Sequence, residues 1–94
     1  MNIEELIKEN KGTVVDVRTP AEFNGGHVAG SQNIPLNEIP LRIDELEAME
    51  SPLILCCASG MRSEQAKNYL GLKNIECVNA GSWLTVNFHQ SKSA

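Results

Sequence analysis

The stretch LILCCASGMRS, residues 53–63, decides the fold. Its apolar first half is typical of a short strand that is buried on both faces of a parallel sheet. Residues 62–70 are rich in helix formers and precede Gly71, so they predict a helix. Only a short polar turn separates the two. The pattern therefore predicts that a buried strand delivers Cys57 into a tight loop at the N-terminus of a helix.

The predicted loop matters chemically because of Cys57. The unpaired N–H groups and the dipole of a helix N-terminus favour an anion, and such surroundings lower a thiol pKa from about 8.5 to about 3.5–7.5. Arg62 adds a positive charge, and Gly60 can adopt a positive φ that turns successive N–H groups inward. A cysteine that closes an apolar strand is also commonly an inert core residue. The residues alone thus leave two interpretations, a thiolate nucleophile and a packed thiol.

The rest of the chain alternates between helix and strand patterns. They comprise a short helix capped by Asn2, a strand over 13–17, a brief helix opened by Pro20, an edge strand over 31–34, a helix opened by Pro40, a strand over 75–79 and a last helix after Gly81. This alternation predicts an α/β domain with a parallel sheet. Residues 1–94 are expected to form one domain, with residues 91–94 as a frayed tail.

Composition restricts the function. The net charge of −4 argues against nucleic acid as the main partner. The first fifty residues hold ten acidic and four basic side chains, whereas the remainder holds two acidic and four basic ones, so the half with Cys57 is friendlier to anions. No segment predicts a membrane helix or a secretory leader. Three cysteines without metal-ligand spacing indicate free thiols in a reducing compartment, and we expect a cytoplasmic protein.

Two charged side chains lie at the carboxyl end of the strand predicted over 13–17: Asp16 within its last residues and Arg18 directly after it. Ligands of open parallel sheets bind beyond the carboxyl ends of the strands, where Asp16 and Cys57 both lie. Arg18 either holds an anion there or, as we prefer, pairs with Glu22 four residues later.

Three further side chains have simpler interpretations. Strand alternation predicts that Cys56 projects into the core while Cys57 emerges at the loop. We also expect Cys77 in the core and a structural role for His27.

Five segments, in order, resemble the single-domain rhodaneses, a family of sulfurtransferases. They are DVR at 16–18, PAEF at 20–23, GHVAGSQNIPL at 26–36, CASGMRS at 57–63 and, more weakly, NAGSW at 79–83. The resemblance implies a small three-layer α/β domain with a parallel sheet of four to five strands and helices on both faces. It also implies a central strand ending at Cys57, with the strand of Asp16 beside it.

The resemblance further implies that Cys57 carries sulfur as a persulfide between a donor, such as thiosulfate or a persulfide, and a thiol or cyanide acceptor, without metal or organic cofactor. The implied substrate-binding residues are Ala58, Ser59, Gly60, Met61, Arg62 and Ser63, with Asp16 and Arg18 in support. Because Arg62 is the only basic loop residue, weak affinity for dianionic thiosulfate and a protein persulfide as natural donor are expected.

Other activities compete with sulfur transfer. The related phosphatases resemble Cys-x5-Arg, whereas four residues separate Cys57 from Arg62 here, and the loop contains no aspartate to act as general acid. Phosphatase activity is therefore disfavoured. A non-enzymatic sulfur carrier, a sensor and a protein-binding module remain as alternatives.

Overall fold

The computed structural model describes residues 2–92. Helices and strands alternate along this part of the chain, in the order α1 (Ile3–Lys8), β1 (Thr13–Asp16), α2 (Pro20–Asn24), β2 (Gln32–Asn33), α3 (Ile43–Glu47), β3 (Leu53–Cys57), α4 (Met61–Leu72), β4 (Cys77–Ser82) and α5 (Trp83–Ser91). A 3₁₀ segment, Leu36–Leu41, precedes α3. No helix among residues 2–92 has both the length and the apolarity to cross a bilayer.

The four strands form one sheet in the order β2-β1-β3-β4, and all three strand pairings are parallel. As predicted, β2 lies at an edge, while β3 lies inside the sheet beside β1. The carboxyl ends of β1 and β3 therefore meet at one edge of the sheet, with Asp16 in register with Cys56. This edge holds the loop that follows Cys57.

Helices cover both faces of the sheet, which confirms the predicted three-layer α/β fold. All five residues of β3 are buried, and its side chains alternate between two apolar clusters. Leu53, Leu55 and Cys57 pack on the face covered by the 3₁₀ segment, α3 and α4. Ile54 and Cys56 pack on the face covered by α1 and α5. The near-continuous apolarity of residues 53–57 follows from this two-sided burial.

Two of the predicted helix starts are confirmed by their caps. The Asn2 side chain accepts a hydrogen bond from the backbone N–H of Glu5 at 2.8 Å. Thr19 and Glu22 form a reciprocal capping box around Pro20 at the first turn of α2.

The helix predicted to open at Pro40 is divided differently. Pro40 lies inside the 3₁₀ segment, and α3 begins only at Ile43. The bonds of the 3₁₀ segment join residues three apart, for instance from the N–H of Arg42 to the carbonyl of Ile39. The predicted apolar face is nevertheless present, since Ile39 and Leu46 are both buried against the sheet.

Three further boundaries differ from the sequence predictions. Helix α4 continues through Gly71 to Leu72. The N–H of Ile75 bonds to the carbonyl of Leu70 at the end of that helix, so β4 starts at Cys77 instead of Ile75. Ser91 belongs to α5, Lys92 caps it, and positions 93 and 94 of the expected tail lie outside the described residues.

Candidate active site

The loop between β3 and α4 turns backbone N–H groups toward the Cys57 sulfur. Gly60, the N-cap of α4, has a φ of 100°, as its predicted role in the turn requires. Its N–H donates a hydrogen bond to Cys57 Sγ over 2.9 Å. A Cβ at Gly60 would also lie 3.2 Å from the Cα of Gly81. Both conformation and space therefore demand glycine at this position.

Cys57 is fully buried, at 0% exposure, so the expectation that its side chain emerges at the loop is wrong. The side chain belongs to the apolar cluster under α4, while the surface is taken by the exposed residues Ala58 and Ser59. The strand alternation was right about the face, but the loop closes over the sulfur. Any reagent that meets this thiol has to pass the residues of the loop.

The pKa of Cys57 reflects two opposing effects. Burial raises it, but hydrogen bonds from the Ser63 side chain and from the backbone N–H groups of Ser63, Gly60 and Ser59 outweigh burial and lower the pKa to about 7. The donors are thus fixed in the backbone apart from one hydroxyl. About half of the molecules hold a thiolate at neutral pH.

Asn79, the third residue of β4, fixes the direction of the Ser63 hydroxyl. The Asn79 Nδ2 group donates to the carbonyl of Gly60 at 3.0 Å and to Glu64 Oε1 at 2.9 Å. Its Oδ1 accepts from Ser63 Oγ at 2.7 Å and from the N–H of Gly81 at 2.9 Å. Every hydrogen-bonding group of the amide is therefore used.

This arrangement determines which group donates the hydrogen bond between Ser63 and Cys57, whose Oγ and Sγ atoms are 3.5 Å apart. Because the single Ser63 proton points to Asn79, the thiol S–H donates to Ser63 Oγ in the protonated form. When the thiol ionises, the Ser63 hydroxyl has to turn from Asn79 to the sulfur in order to donate to it. Sequence reasoning missed this role of Asn79, although a polar residue at the end of the strand predicted over 75–79 was a usable signal.

Arg62 is held by a glutamate from a distant part of the chain. Its Nη1 and Nη2 atoms lie 2.7 and 3.0 Å from the two carboxylate oxygens of Glu22, in the two-pronged geometry that arginine favours. The hydrogen bond from Arg62, together with bonds from Thr19, lowers the pKa of Glu22 to about 2. The predicted pairing of Glu22 with Arg18 is therefore wrong.

Arg18 instead forms a buried ion pair with Asp16, the residue that closes β1. The Nη2 atom of Arg18 is 2.7 Å from Asp16 Oδ2 and 2.7 Å from the carbonyl of Gly26, and the guanidinium stacks 4.7 Å from the ring centre of Trp83. Asp16 is fully buried and Arg18 is 4% exposed. The Arg18 guanidinium donates to Asp16 and to the Gly26 carbonyl, so its hydrogen bonds are to groups of the protein.

Asp16 and Arg18 share an edge of the sheet with Cys57 but not a face. Asp16 is in register with Cys56, whose pKa is raised to about 12 by burial and by the Asp16 charge. The neighbour Val17 packs in the cluster of Cys57, and strand side chains alternate. The Asp16–Arg18 pair therefore lies on the Cys56 side, where it anchors the end of β1.

The other predicted structural residues behave as expected. His27 donates from Nδ1 to the carbonyl of Phe23 at 2.7 Å and stacks on the Phe23 ring with 3.7 Å between ring centres. Cys56 is fully buried, and the half-buried Cys77, whose pKa is raised by burial, packs against the core. All three cysteines are free.

An open cleft of about 560 Å³ lies beside the loop. It brings together residues of the loop, the first turn of α4 and the middle of β4, namely Ser59, Gly60, Met61, Glu64, Asn79, Ala80 and Gly81. Met61 is 73% exposed at this site. The cleft is large enough for a small molecule to lie next to the covered sulfur.

Comparison with known sequences identifies relatives over most of the chain. The family described as "Rhodanese-like domain" matches residues 2–85. The protein YqhL of Bacillus subtilis is 40% identical over 60 residues, which cover 64% of this chain and 47% of that protein. A sulfurtransferase of Allochromatium vinosum is 39% identical over 57 residues, covering 61% of this chain and 52% of the relative. The chain thus spans about half the length of these two relatives.

A longer match is the thiosulfate sulfurtransferase GlpE of Pseudomonas aeruginosa, which is 30% identical over 78 residues, covering 80% of this chain and 70% of that enzyme. Among solved structures, a rhodanese-like domain protein from Staphylococcus aureus superposes with a TM-score of 0.71 at 29% identity, covering 80% of this chain and 72% of the other. A rhodanese with anions from E. coli gives a TM-score of 0.68 at 31% identity, covering 78% and 88% of the two chains.

Proposed function

The chain belongs to the rhodanese-like domain family, and from this premise we propose that it is a sulfurtransferase that carries sulfane sulfur on Cys57. The observation that carries the proposal is the 2.9 Å hydrogen bond from the N–H of Gly60 to Cys57 Sγ, within a loop that lowers the pKa of a buried thiol to about 7. Burial alone would make the thiol inert. The donors of the loop make it a nucleophile near neutral pH.

In the first half-reaction the Cys57 thiolate attacks the outer sulfur of the donor. A new S–S bond forms to Cys57, the donor bond to that sulfur breaks, and the leaving group keeps the electron pair: sulfite from thiosulfate, or a thiolate from a persulfide. In the second half-reaction an acceptor thiolate or cyanide attacks the outer sulfur and restores the Cys57 thiolate. No net oxidation occurs in either step.

The loop residues have distinct roles in this proposal. The N–H groups of Ser59, Gly60 and Ser63 stabilise negative charge on sulfur in both half-reactions, because such preorganised donors act where the charge develops. Ala58 and Met61 shape the path to the sulfur, and Arg62 holds the loop through Glu22. Asp16 and Arg18 support the site from the other face by fixing the end of β1.

Because the loop covers Cys57, the donor sulfur reaches it only when the loop opens. The cleft lined by Gly60 and Met61 is the approach that we assign to both donor and acceptor. We place the reaction in the cytoplasm, where free thiols such as the three cysteines of this chain persist.

Intact mass spectrometry tests the function directly. The protein is treated in turn with thiosulfate and with cysteine persulfide, and its mass is measured before and after addition of cyanide. We expect a gain of one sulfur atom that cyanide removes, absent in Cys57→Ser and retained in the matched control Cys77→Ser. A wild-type chain that gains no sulfur from either donor contradicts the proposal and favours a binding module.

A further inference from the structure

The charges around the loop point to a particular class of sulfur donor. We propose that the site favours a sulfane sulfur carried by a neutral or cationic thiol over an oxyanion donor such as thiosulfate, and that Glu22 sets this preference by occupying Arg62. The inference rests on the proposed function, since it assumes that Cys57 accepts sulfane sulfur. It concerns which donors the cleft admits.

Arg62 is the basic side chain of the loop, and Glu22 neutralises it. The Nη1 and Nη2 atoms of Arg62, which together could bind an oxyanion, already donate to the two oxygens of Glu22. The pair is about one-third exposed on each side, and neither residue lines the cleft, so the pair acts on an anion there through its charges and not by contact. Arg62 remains within electrostatic reach of Cys57, so the charge of Glu22 bears on the same region.

Glu64 adds a second negative charge on the other side of the approach. It lines the cleft and accepts a hydrogen bond from Asn79, and it forms no ion pair among residues 2–92. None of the described residues that line the cleft is basic. A dianion that enters the cleft is therefore repelled by Glu64, and no cationic side chain of the lining offsets this repulsion, while a cationic carrier is attracted.

The buried arginine does not change this balance. Arg18 is paired with Asp16 on the opposite face of the sheet, so the Asp16 carboxylate neutralises its charge and it attracts an anion in the cleft only weakly. The two ion pairs cancel internally, so among these charged side chains the carboxylate of Glu64 is left unbalanced at the cleft, while the N–H groups of the loop act on the sulfur itself. Like charges arranged in this way discriminate between ligands as effectively as new attractive contacts do.

The preferred reaction balances without any further reagent. The Cys57 thiolate attacks the terminal sulfur of a persulfide R–S–SH, the donor S–S bond breaks, and the products are R–S⁻ and the Cys57 persulfide. With a cationic R group the leaving thiolate departs as a zwitterion, which Glu64 does not repel. Thiosulfate would instead release the sulfite dianion into the same negative cleft.

The test compares kcat/KM for thiosulfate and for cysteamine persulfide, a cationic donor. The ratio of the two values removes the intrinsic reactivity of each donor. In Glu22→Gln the capping box can persist while the charge on Arg62 is released. We expect the ratio to shift toward thiosulfate by about fivefold, the upper range for a partly exposed ion pair. Glu64→Gln should shift the ratio in the same direction.

Glu47→Gln is the matched control, because Glu47 lies with Leu53 at the opposite end of β3 and undergoes the same change of charge. Its ratio should equal that of the wild type. Ionic strength gives a test without substitutions: added salt should raise kcat/KM for thiosulfate and lower it for cysteamine persulfide.

The outcomes separate this inference from the proposed function. Ratios that stay within twofold of the wild type in both glutamine variants, or a fall of the thiosulfate value with salt, would overturn the inference while sulfur transfer stands. If Glu22→Gln does not fold, Glu64→Gln and the salt series decide. If neither donor transfers sulfur to wild-type Cys57, the proposed function itself has failed.

Discussion

Replacement of Ser63 by alanine isolates the side chain that donates a hydrogen bond to the Cys57 thiolate. The other donors are the N–H groups of Ser63, Gly60 and Ser59, which alanine at position 63 retains. The substitution removes the hydroxyl that lies 3.5 Å from the sulfur. It leaves Asn79 Oδ1 bonded to the N–H of Gly81, so no buried acceptor is orphaned.

The size of the effect follows from the competition for the Ser63 proton. A hydrogen bond to a charged group contributes about 1.5–3 kcal/mol and a neutral one about 0.5–1.5 kcal/mol. When the hydroxyl turns to the thiolate it abandons the 2.7 Å bond to Asn79, so the net gain is about 1–1.5 kcal/mol, close to one pKa unit. Ser63→Ala should therefore move the pKa of Cys57 from about 7 to about 8.

The pH dependence of alkylation measures this shift. Iodoacetamide reacts with the thiolate, and peptide mass mapping separates Cys57 from Cys56 and Cys77, whose pKa values are raised. At neutral pH the thiolate fraction falls from about half to about a tenth, so alkylation of the variant should be about fivefold slower.

Ser59→Ala is the matched control, because Ser59 contributes its backbone N–H to the sulfur and alanine keeps that donor. Its midpoint should equal that of the wild type. A Ser63→Ala midpoint within a few tenths of the wild-type value would refute the reasoning, since the hydroxyl would then not donate to the thiolate at all. An equal shift in both variants would point to a general distortion of the loop.

Two further substitutions test the frame of the site. Gly60→Ala forces a side chain into a φ of 100° and to 3.2 Å from Gly81 Cα, so it should lower the free energy of urea unfolding by at least about 1 kcal/mol. Gly71→Ala, with open space at its Cβ, should instead stabilise the protein by about 0.5–1 kcal/mol. Equal effects of the two substitutions would contradict the strain argument. Asp16→Asn leaves the buried Arg18 without a counter-charge and should lower the free energy of unfolding by about 3–5 kcal/mol. Glu45→Gln, in the exposed pair with Arg42, should have a much smaller effect. A similar loss in both variants would show that burial does not set the cost.

Local sequence patterns predicted the elements whose ends are set by nearby residues. The strand β3 is unmistakable because burial on both faces requires five consecutive apolar residues. Thr19, Pro20 and Glu22 supplied the capping box of α2 within four positions. By contrast, the start of β4 depends on contacts remote in sequence, such as the bond from the N–H of Leu53 to the carbonyl of Glu76, and single-residue propensities contain no such information.

The same distinction between local and remote contacts explains which features of the site could be predicted from the sequence. The Gly60 turn was predictable because positive φ selects glycine. The partner of Arg62 was not, because Glu22 lies 40 positions away. The spacing of four between Arg18 and Glu22 suggested a helical pair, but that rule holds only inside one helix, and Arg18 precedes the N-cap Thr19. The hydrogen bonds of the Asn79 amide were not predictable either, because they depend on how β4 is placed beside β3.

The adjacent residues Cys56 and Cys57 show that burial alone does not set the pKa of a thiol. Both side chains have 0% exposure, yet the pKa is raised to about 12 at Cys56 and lowered to about 7 at Cys57. One step along β3 exchanges the faces of the sheet, so Cys56 meets the apolar cluster and the Asp16 carboxylate, whereas Cys57 meets N–H groups fixed by the loop. Desolvation penalises both thiolates, and it also strengthens each hydrogen bond that reaches the sulfur. The thiol with the lowered pKa is therefore the one whose buried surroundings contain donors, and those donors follow Cys57 in sequence by two, three and six residues.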